Sequence, residues 1–170
     1  AANEALADAG LSNFGDDQRV SVVIGSCVGG VLSIEQYHQH GRDAAEIAKM
    51  PIASIASQVA ETCGAGGIVT NVANACAAGT ISIAVACDLI RAGKADVVIA
   101  GGADSFASVP YSGFLSLHAL DENGCSPFNR CNGITLGEGA GIVIVESYEY
   151  AQKRSAKTYC EVLGSGVTSD

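Results

Sequence analysis

Three consecutive stretches decide the fold class of this chain. They are Ile68-Val-Thr-Asn-Val-Ala73, Asn74-Ala-Cys-Ala-Ala-Gly-Thr80, and Asp96-Val-Val-Ile-Ala-Gly-Gly102. The first is a short apolar, β-branched run of strand length. The second opens a helix that carries Ile81, Ala84, Val85, Asp88 and Leu89 at three- and four-residue spacing and stops near Gly93. The third is continuously apolar, as a strand covered on both faces must be. Strand, helix, strand is a βαβ unit, and it predicts an α/β fold with a mostly parallel sheet.

Working outward, Val20-Ser-Val-Val-Ile-Gly25 reads as a second buried strand. It runs into Gly25-Ser-Cys-Val-Gly-Gly30, whose small side chains allow close backbone approach. Residues 1–11 read as a helix end stopped by Gly10, and 31–63 as mostly helical with breaks near Gly41 and Pro51. Gly137-Glu-Gly-Ala-Gly-Ile-Val-Ile-Val-Glu146 is a glycine-rich turn and a last buried strand. No linker composition divides the chain, so residues 1–170 are expected to form a single domain.

Composition narrows the function classes. Of 170 residues, 48% are hydrophobic and 16% charged, which excludes intrinsic disorder. The formal charge of −9 is the wrong sign for gripping a phosphate backbone, so no nucleic-acid partner is expected. No apolar run approaches the ~20 residues of a membrane helix, and the N-terminus has neither the basic nor the apolar region of a secretion signal. The seven cysteines (27, 63, 76, 87, 125, 131 and 160) include no Cys-x-x-Cys pair. They read as reduced thiols of a cytoplasmic protein, each by default a small buried hydrophobe. His38-x-His40 has no second clustered pair beside it, so neither a metal nor a cofactor is expected. The first residue is not Met and the chain opens on a helix pattern, so it is expected to be a segment of a longer protein.

Cys76 differs from the other thiols in position. It falls where a buried strand meets a long helix, among Ala75, Ala77, Ala78 and Gly79. Unpaired amides and the helix dipole favour an anion there, hence the reactive thiolate. The small neighbours leave room for a substrate, and backbone N–H groups stand ready for an oxyanion.

Around this cysteine, Gly67, Val72, Ala75, Cys76, Ala77, Ala78, Gly79 and Ile83 fill the active-site pattern of the β-ketoacyl synthases. Gly25 to Gly30, Ala95 to Asp104, Cys125-Ser-Pro-Phe-Asn129 and Gly133 to Gly141 resemble further blocks of that family, in order and spacing. The resemblance implies the thiolase-like fold, a mixed and mostly parallel sheet covered by helices, with this chain most of the first of two similar halves. It implies that the family's first strand, lying mid-sheet between Val20–Gly25 and Asp96–Gly101, is absent, leaving hydrogen-bonding edges unpaired. It further implies that the catalytic histidines lie in the second half, and His38, His40 and His118 match none of their motifs. The segment alone is therefore expected to be inactive.

The activity implied is acyl transfer from a carrier thioester to Cys76, followed by decarboxylative condensation with a malonyl thioester in fatty-acid or polyketide synthesis. Acyl carrier protein or acyl-CoA would be the partner. Val28 matches a position at the end of the acyl tunnel, Phe114 a tunnel-lining phenylalanine, and His118 a carrier-protein contact. Basic residues outside this half, or a local patch of Arg91, Lys94 and Arg130, would have to offset the acidic charge towards an acidic carrier. The strand 68–73 matches the edge strand through which the family forms homodimers. A thiolase-like enzyme using coenzyme A thioesters, and a non-catalytic synthase-like subunit, are the alternatives.

Overall fold

The computed structural model describes residues 1–130 and 132–168. Four strands, β1 (Val20–Gly25), β2 (Val69–Val72), β3 (Val97–Asp104) and β4 (Gly139–Glu146), form one sheet in the order β2-β1-β3-β4. β2, β1 and β3 are parallel, and β4 runs antiparallel to β3. The helices are α1 (Ala2–Asp8), α2 (Val31–Gln39), α3 (Ala44–Ile47), α4 (Ala53–Cys63), α5 (Ala78–Arg91), α6 (Ser108–Ser116) and α7 (Tyr148–Lys153).

The apolar runs of β1 and β3 serve two faces, which is why neither alternates with polar residues. Val20, Val22, Ile24, Val97 and Ile99 point to one side and pack with Leu6 of α1 and Ala56, Ala60 and Cys63 of α4. Val23, Val98 and Ala100 point to the other and pack with Ala86, Ile83 and Leu89 of α5. Val22, Val23, Val97, Val98 and Ile99 are fully buried. Burial of such side chains stabilises by roughly 1.5–3 kcal/mol each, and the layered arrangement follows from it.

The mid-sheet gap expected from the family resemblance is not found. β1 pairs directly with β3 along its whole length, from Val20 opposite Val97 to Gly25 opposite Gly102. Both strands are β-branched on both faces, so each supplies the ladder partner the other needs. The central hydrogen-bonding edges are satisfied rather than open. The expectation that the thiols are mostly buried also needs correction. Among the described residues, Cys63 and Cys87 are buried, whereas Cys27, Cys76, Cys125 and Cys160 are exposed. The two buried thiols lie in helices facing the sheet; the exposed four lie in loops and turns. Cys131 lies outside the described residues.

Two ion pairs lie at one end of the sheet, where Val20, Val97 and Glu146 are in register. The Arg154 guanidinium donates from Nε and Nη2 to the two carboxylate oxygens of Glu146 at 2.8 and 2.7 Å. Its Nη1 donates to the Ala9 carbonyl at 2.7 Å, joining α1 to the segment after β4. Arg19 makes a similar fork to Asp96 at 3.0 and 2.8 Å, in a more exposed setting.

Candidate active site

The C-terminal ends of the three parallel strands face one way, and the loops leaving them carry the residues singled out by sequence. Val28 follows β1, Cys76 follows β2, and Asp104 ends β3 with α6 and Phe114 beyond it. Ligands of open parallel sheets bind at such ends.

Cys76 sits in a tight 3₁₀ turn, Ala75–Ala77, that precedes α5, one step earlier than the first α-helical turn expected. The reason is the backbone of Ala75, whose φ of 45° is a left-handed value that a residue with a Cβ adopts at a cost of about 1–2 kcal/mol. This kink turns the chain sharply from strand to helix and leaves Cys76 exposed at its apex. The same strained geometry presents the nucleophile in other strand–turn–helix elbows.

The turn is seated by glycine. A Cβ on Gly25 would lie 2.3 Å from the backbone carbonyl of Ala78, and one on Gly102 would lie 3.1 Å from the Cα of Gly79. α5 therefore starts in backbone contact with the ends of β1 and β3. Ser82, fully buried, fixes it there by donating to the Gly101 carbonyl and accepting from the Gly101 amide.

The loop after β1 is held by a carboxylate. Asp104 Oδ1 accepts from the Ser26 hydroxyl at 2.7 Å and from the amides of Cys27 and Val28 at 3.0 and 2.8 Å. The Ser26 hydroxyl in turn accepts from the Gly29 amide at 2.7 Å. Val28, half-buried, is thereby fixed in orientation through its own amide. Burial raises the Cys27 thiol above its ordinary pKa, and the neighbouring charges of Asp104 and Cys76 add to the rise. Cys27 thus stands within electrostatic reach of the candidate nucleophile.

α6 is held by a second carboxylate. Glu35 on α2 accepts from the amides of Ser108 and Val109 at 3.0 and 2.7 Å, capping the first turn of α6 from outside. These two backbone hydrogen bonds hold the Glu35 carboxyl below the usual carboxylate range. Phe114, half-buried, rides on α6 and is positioned through that tie. His118, exposed just past the helix with a left-handed φ of 53°, lies in the turn whose Ala119 amide donates to the Phe114 carbonyl at 3.0 Å.

Three arrangements differ from expectation or were not foreseen. Arg91 and Lys94 lie at the far end of α5, about 20 Å along its axis from Cys76 at 1.5 Å per residue. Arg130 is held by Asp121 at 3.2 Å in the loop before β4, whereas Arg91 donates to the Val162 and Leu163 carbonyls. A cavity of about 700 Å³, open to solvent, is lined by Gly30, Lys49, Gln58, Asp104 and Glu138 on the α1–α4 side and does not include Cys76. Asp104 and Glu35 were missed as positioning groups. Their signal was an acid ending an otherwise apolar strand and another inside a helix whose first turn has none. Among the described residues, no group of three or more His, Cys, Asp or Glu is placed to hold a metal, and no helix is long and apolar enough to cross a membrane.

Residues 1–151 match the family described as "Beta-ketoacyl synthase, N-terminal domain". Over its full length the chain is 37% identical to nodulation protein E of Rhizobium meliloti (strain 1021), covering 45% of it. It is also 37% identical to 3-oxoacyl-[acyl-carrier-protein] synthase 2 of Staphylococcus aureus, again over all of this chain and 45% of the relative. The chain spans somewhat less than half the length of these curated relatives. Among solved structures, the ishigamide ketosynthase/chain length factor superposes with a TM-score of 0.85 at 31% identity, over 96% of this chain and 43% of that one. A type II polyketide ketosynthase in complex with its acyl carrier protein superposes with a TM-score of 0.80 at 28% identity, over 92% and 44%. The fold is thiolase-like, a mixed sheet covered by helices.

Proposed function

Since the chain belongs to the β-ketoacyl synthase family, as its N-terminal domain, we propose that it supplies the nucleophile and part of the acyl pocket of a 3-oxoacyl-[acyl-carrier-protein] synthase. The observation that carries this reading is the exposed Cys76 at the apex of the Ala75 kink, with α5 starting directly behind it. The Cys76 sulfur attacks the carbonyl carbon of an acyl thioester, and the oxyanion formed is met by amides of the 3₁₀ turn. Collapse of the adduct breaks the carbon–sulfur bond to the carrier, whose thiolate leaves with the proton given up by Cys76. A malonyl thioester then loses carbon dioxide. The electron pair of the broken bond, held as an enolate, attacks the acyl carbon and expels the Cys76 thiolate.

The pathway is fatty-acid or polyketide synthesis, in the cytoplasm. The carrier is an acyl carrier protein, as in the solved ketosynthase complex, with His118 at its contact surface and Val28 and Phe114 in the acyl pocket. Acyl-CoA as donor is the alternative that would move the reading towards a thiolase. The retention of Cys76 speaks against a non-catalytic subunit. The assembly is a homodimer paired through β2, the sheet edge where Val69 is exposed and hydrogen bonds run to β1 only. Exposed strand edges are aggregation hazards, and two-fold pairing removes them.

The test is mass spectrometry of the full-length protein with acyl and malonyl carrier thioesters. An acyl adduct on the Cys76 peptide, lost with product in Cys76→Ala, is the expected result. Adduct formation on another residue overturns the reading.

A further inference from the structure

The loop between β1 and α2 binds an anion that the protein itself provides. Ser26, Cys27 and Val28 direct one hydroxyl and two amide hydrogens at the Asp104 carboxylate, with donor–acceptor distances of 2.7 to 3.1 Å. The strand β3 delivers that carboxylate, so its position follows from the sheet register, in which Asp104 lies opposite Gly139. The other side of the loop is closed as tightly. A Cβ on Gly30 would lie 2.2 Å from the Met50 carbonyl oxygen, and one on Gly29, which has φ +60°, would lie 3.2 Å from the Ile52 side chain. The loop is thus packed between the carboxylate on one side and the Lys49–Met50 backbone and Ile52 side chain on the other.

We propose that Asp104, acting through Ser26 and the Val28 amide, is a positioning residue for acyl-chain selection, setting how deep an acyl tail can run before it meets Val28. The proposal rests on the reading that Val28 ends the acyl pocket, and it assigns the depth of that pocket to a carboxylate that touches no substrate. Charge-assisted hydrogen bonds are shorter and about twice as strong as neutral ones, so three converging on one carboxylate hold the loop more rigidly than packing alone. A pocket end that cannot retreat discriminates by chain length; one that can yields to each added methylene.

In the full-length protein, specificity constants are measured for a butyryl and a myristoyl carrier thioester. Asp104→Ala is expected to reduce discrimination between them by about tenfold, the value of roughly one methylene in an apolar pocket. Acetyl transfer to Cys76 should hold within about twofold in the same variant, because the Cys76 turn is seated by Gly25 and Gly102 and does not depend on Asp104. Ser26→Ala should flatten selectivity in the same way, with the double variant no worse than either single one, as members of one network behave. Asp104→Asn keeps an acceptor oxygen and should restore most of the discrimination, which separates positioning from a failure to fold. An unchanged profile in Asp104→Ala overturns the proposal, as does an equal loss for both substrates that follows the unfolding midpoint. Val28→Phe tests the underlying reading: if it fails to exclude the myristoyl chain, that reading falls and the proposal with it. If it succeeds while Asp104→Ala changes nothing, the proposal alone falls.

Discussion

The hydroxyl of Ser82 lies 2.7 Å from the carbonyl oxygen and 3.1 Å from the amide nitrogen of Gly101, so one buried side chain makes both bonds to a single β3 residue. At Gly101 the φ of 147° and the close Gly141 carbonyl admit no side chain, although the strand stays in register with both neighbours there. Ser82→Ala leaves a buried amide without its acceptor, which costs about 1–3 kcal/mol. Urea unfolding should show a lower midpoint with an unchanged slope. A midpoint equal to wild type would mean that water replaces the hydroxyl.

Gly25 and Gly113 are glycines with opposite expectations. Alanine at Gly25 puts a methyl group into the backbone of Ala78, which cannot give way, so α5 and the Cys76 turn must shift. Gly113 lies within α6 with nothing inside 4 Å of its added Cβ. Gly25→Ala should therefore destabilise and slow acylation of Cys76, whereas Gly113→Ala should stabilise by up to about 1 kcal/mol through helix propensity. Thermal unfolding together with acylation rates checks both.

β1, β3 and α4 were legible because their apolar spacing is set by burial in the sheet or against it, whereas β2 and β4, expected as buried strands, are partly exposed. β1 matches its expected bounds, and the breaks at Gly41 and Pro51 separate α2, α3 and α4. α6 was not read, since Ser108-Val-Pro-Tyr-Ser-Gly-Phe-Leu-Ser116 has no apolar stripe of helical period and keeps Val109, Leu115 and the following Leu117 exposed. The position of Cys76 was legible, but the φ of Ala75 was not, because alanine has no preference for that region and tertiary packing imposes it. Asp104 and Glu35 act across more than seventy residues of sequence, where periodicity carries no information.

The Arg154–Glu146 pair is largely shielded, with side-chain exposures of 23% and 10%, and Arg154 also holds the Ala9 carbonyl. Glu146→Gln leaves the guanidinium short of its charge partner, and about 2–3 kcal/mol is expected to be lost. Asp96→Asn, at the more exposed Arg19 fork, should cost less. Added salt should narrow the Asp96 effect more than the Glu146 effect. A reversed order in denaturant titrations would contradict the burial argument.

Glu35 gives the α2–α6 tie a pH dependence with a definite sign. Its carboxyl is held below the ordinary value by the Ser108 and Val109 amides, so the folded state binds its proton less readily than the unfolded chain. The stabilisation is full above about pH 4.3, the ordinary glutamate value, and is lost as pH falls through the lower folded value. Glu35→Gln should therefore be less stable than wild type at neutral pH, and the gap should close as the pH falls through the lowered folded value. A gap that is constant with pH would mean that shape and not charge holds α6.

Thiol reactivity separates the candidate nucleophile from its neighbours. Cys63 and Cys87 are buried and their thiols are raised above the ordinary value by that burial, so both should resist alkylation in the folded protein. Cys27 is exposed, yet burial of its sulfur and the charges of Asp104 and Cys76 raise it as well, so its thiolate forms only at higher pH. Cys76 is exposed at the apex of its 3₁₀ turn, between two alanines that leave its sulfur open to a reagent. With limiting iodoacetamide at neutral pH, peptide mapping of the full-length protein should find label first on Cys76 and only later on Cys27. Raising the pH should speed Cys27 labelling, and Asp104→Ala, which removes one of the charges, should bring that labelling to lower pH. First labelling at Cys125 or Cys160, the other exposed thiols, would show that access alone sets reactivity and that the Cys76 turn confers none.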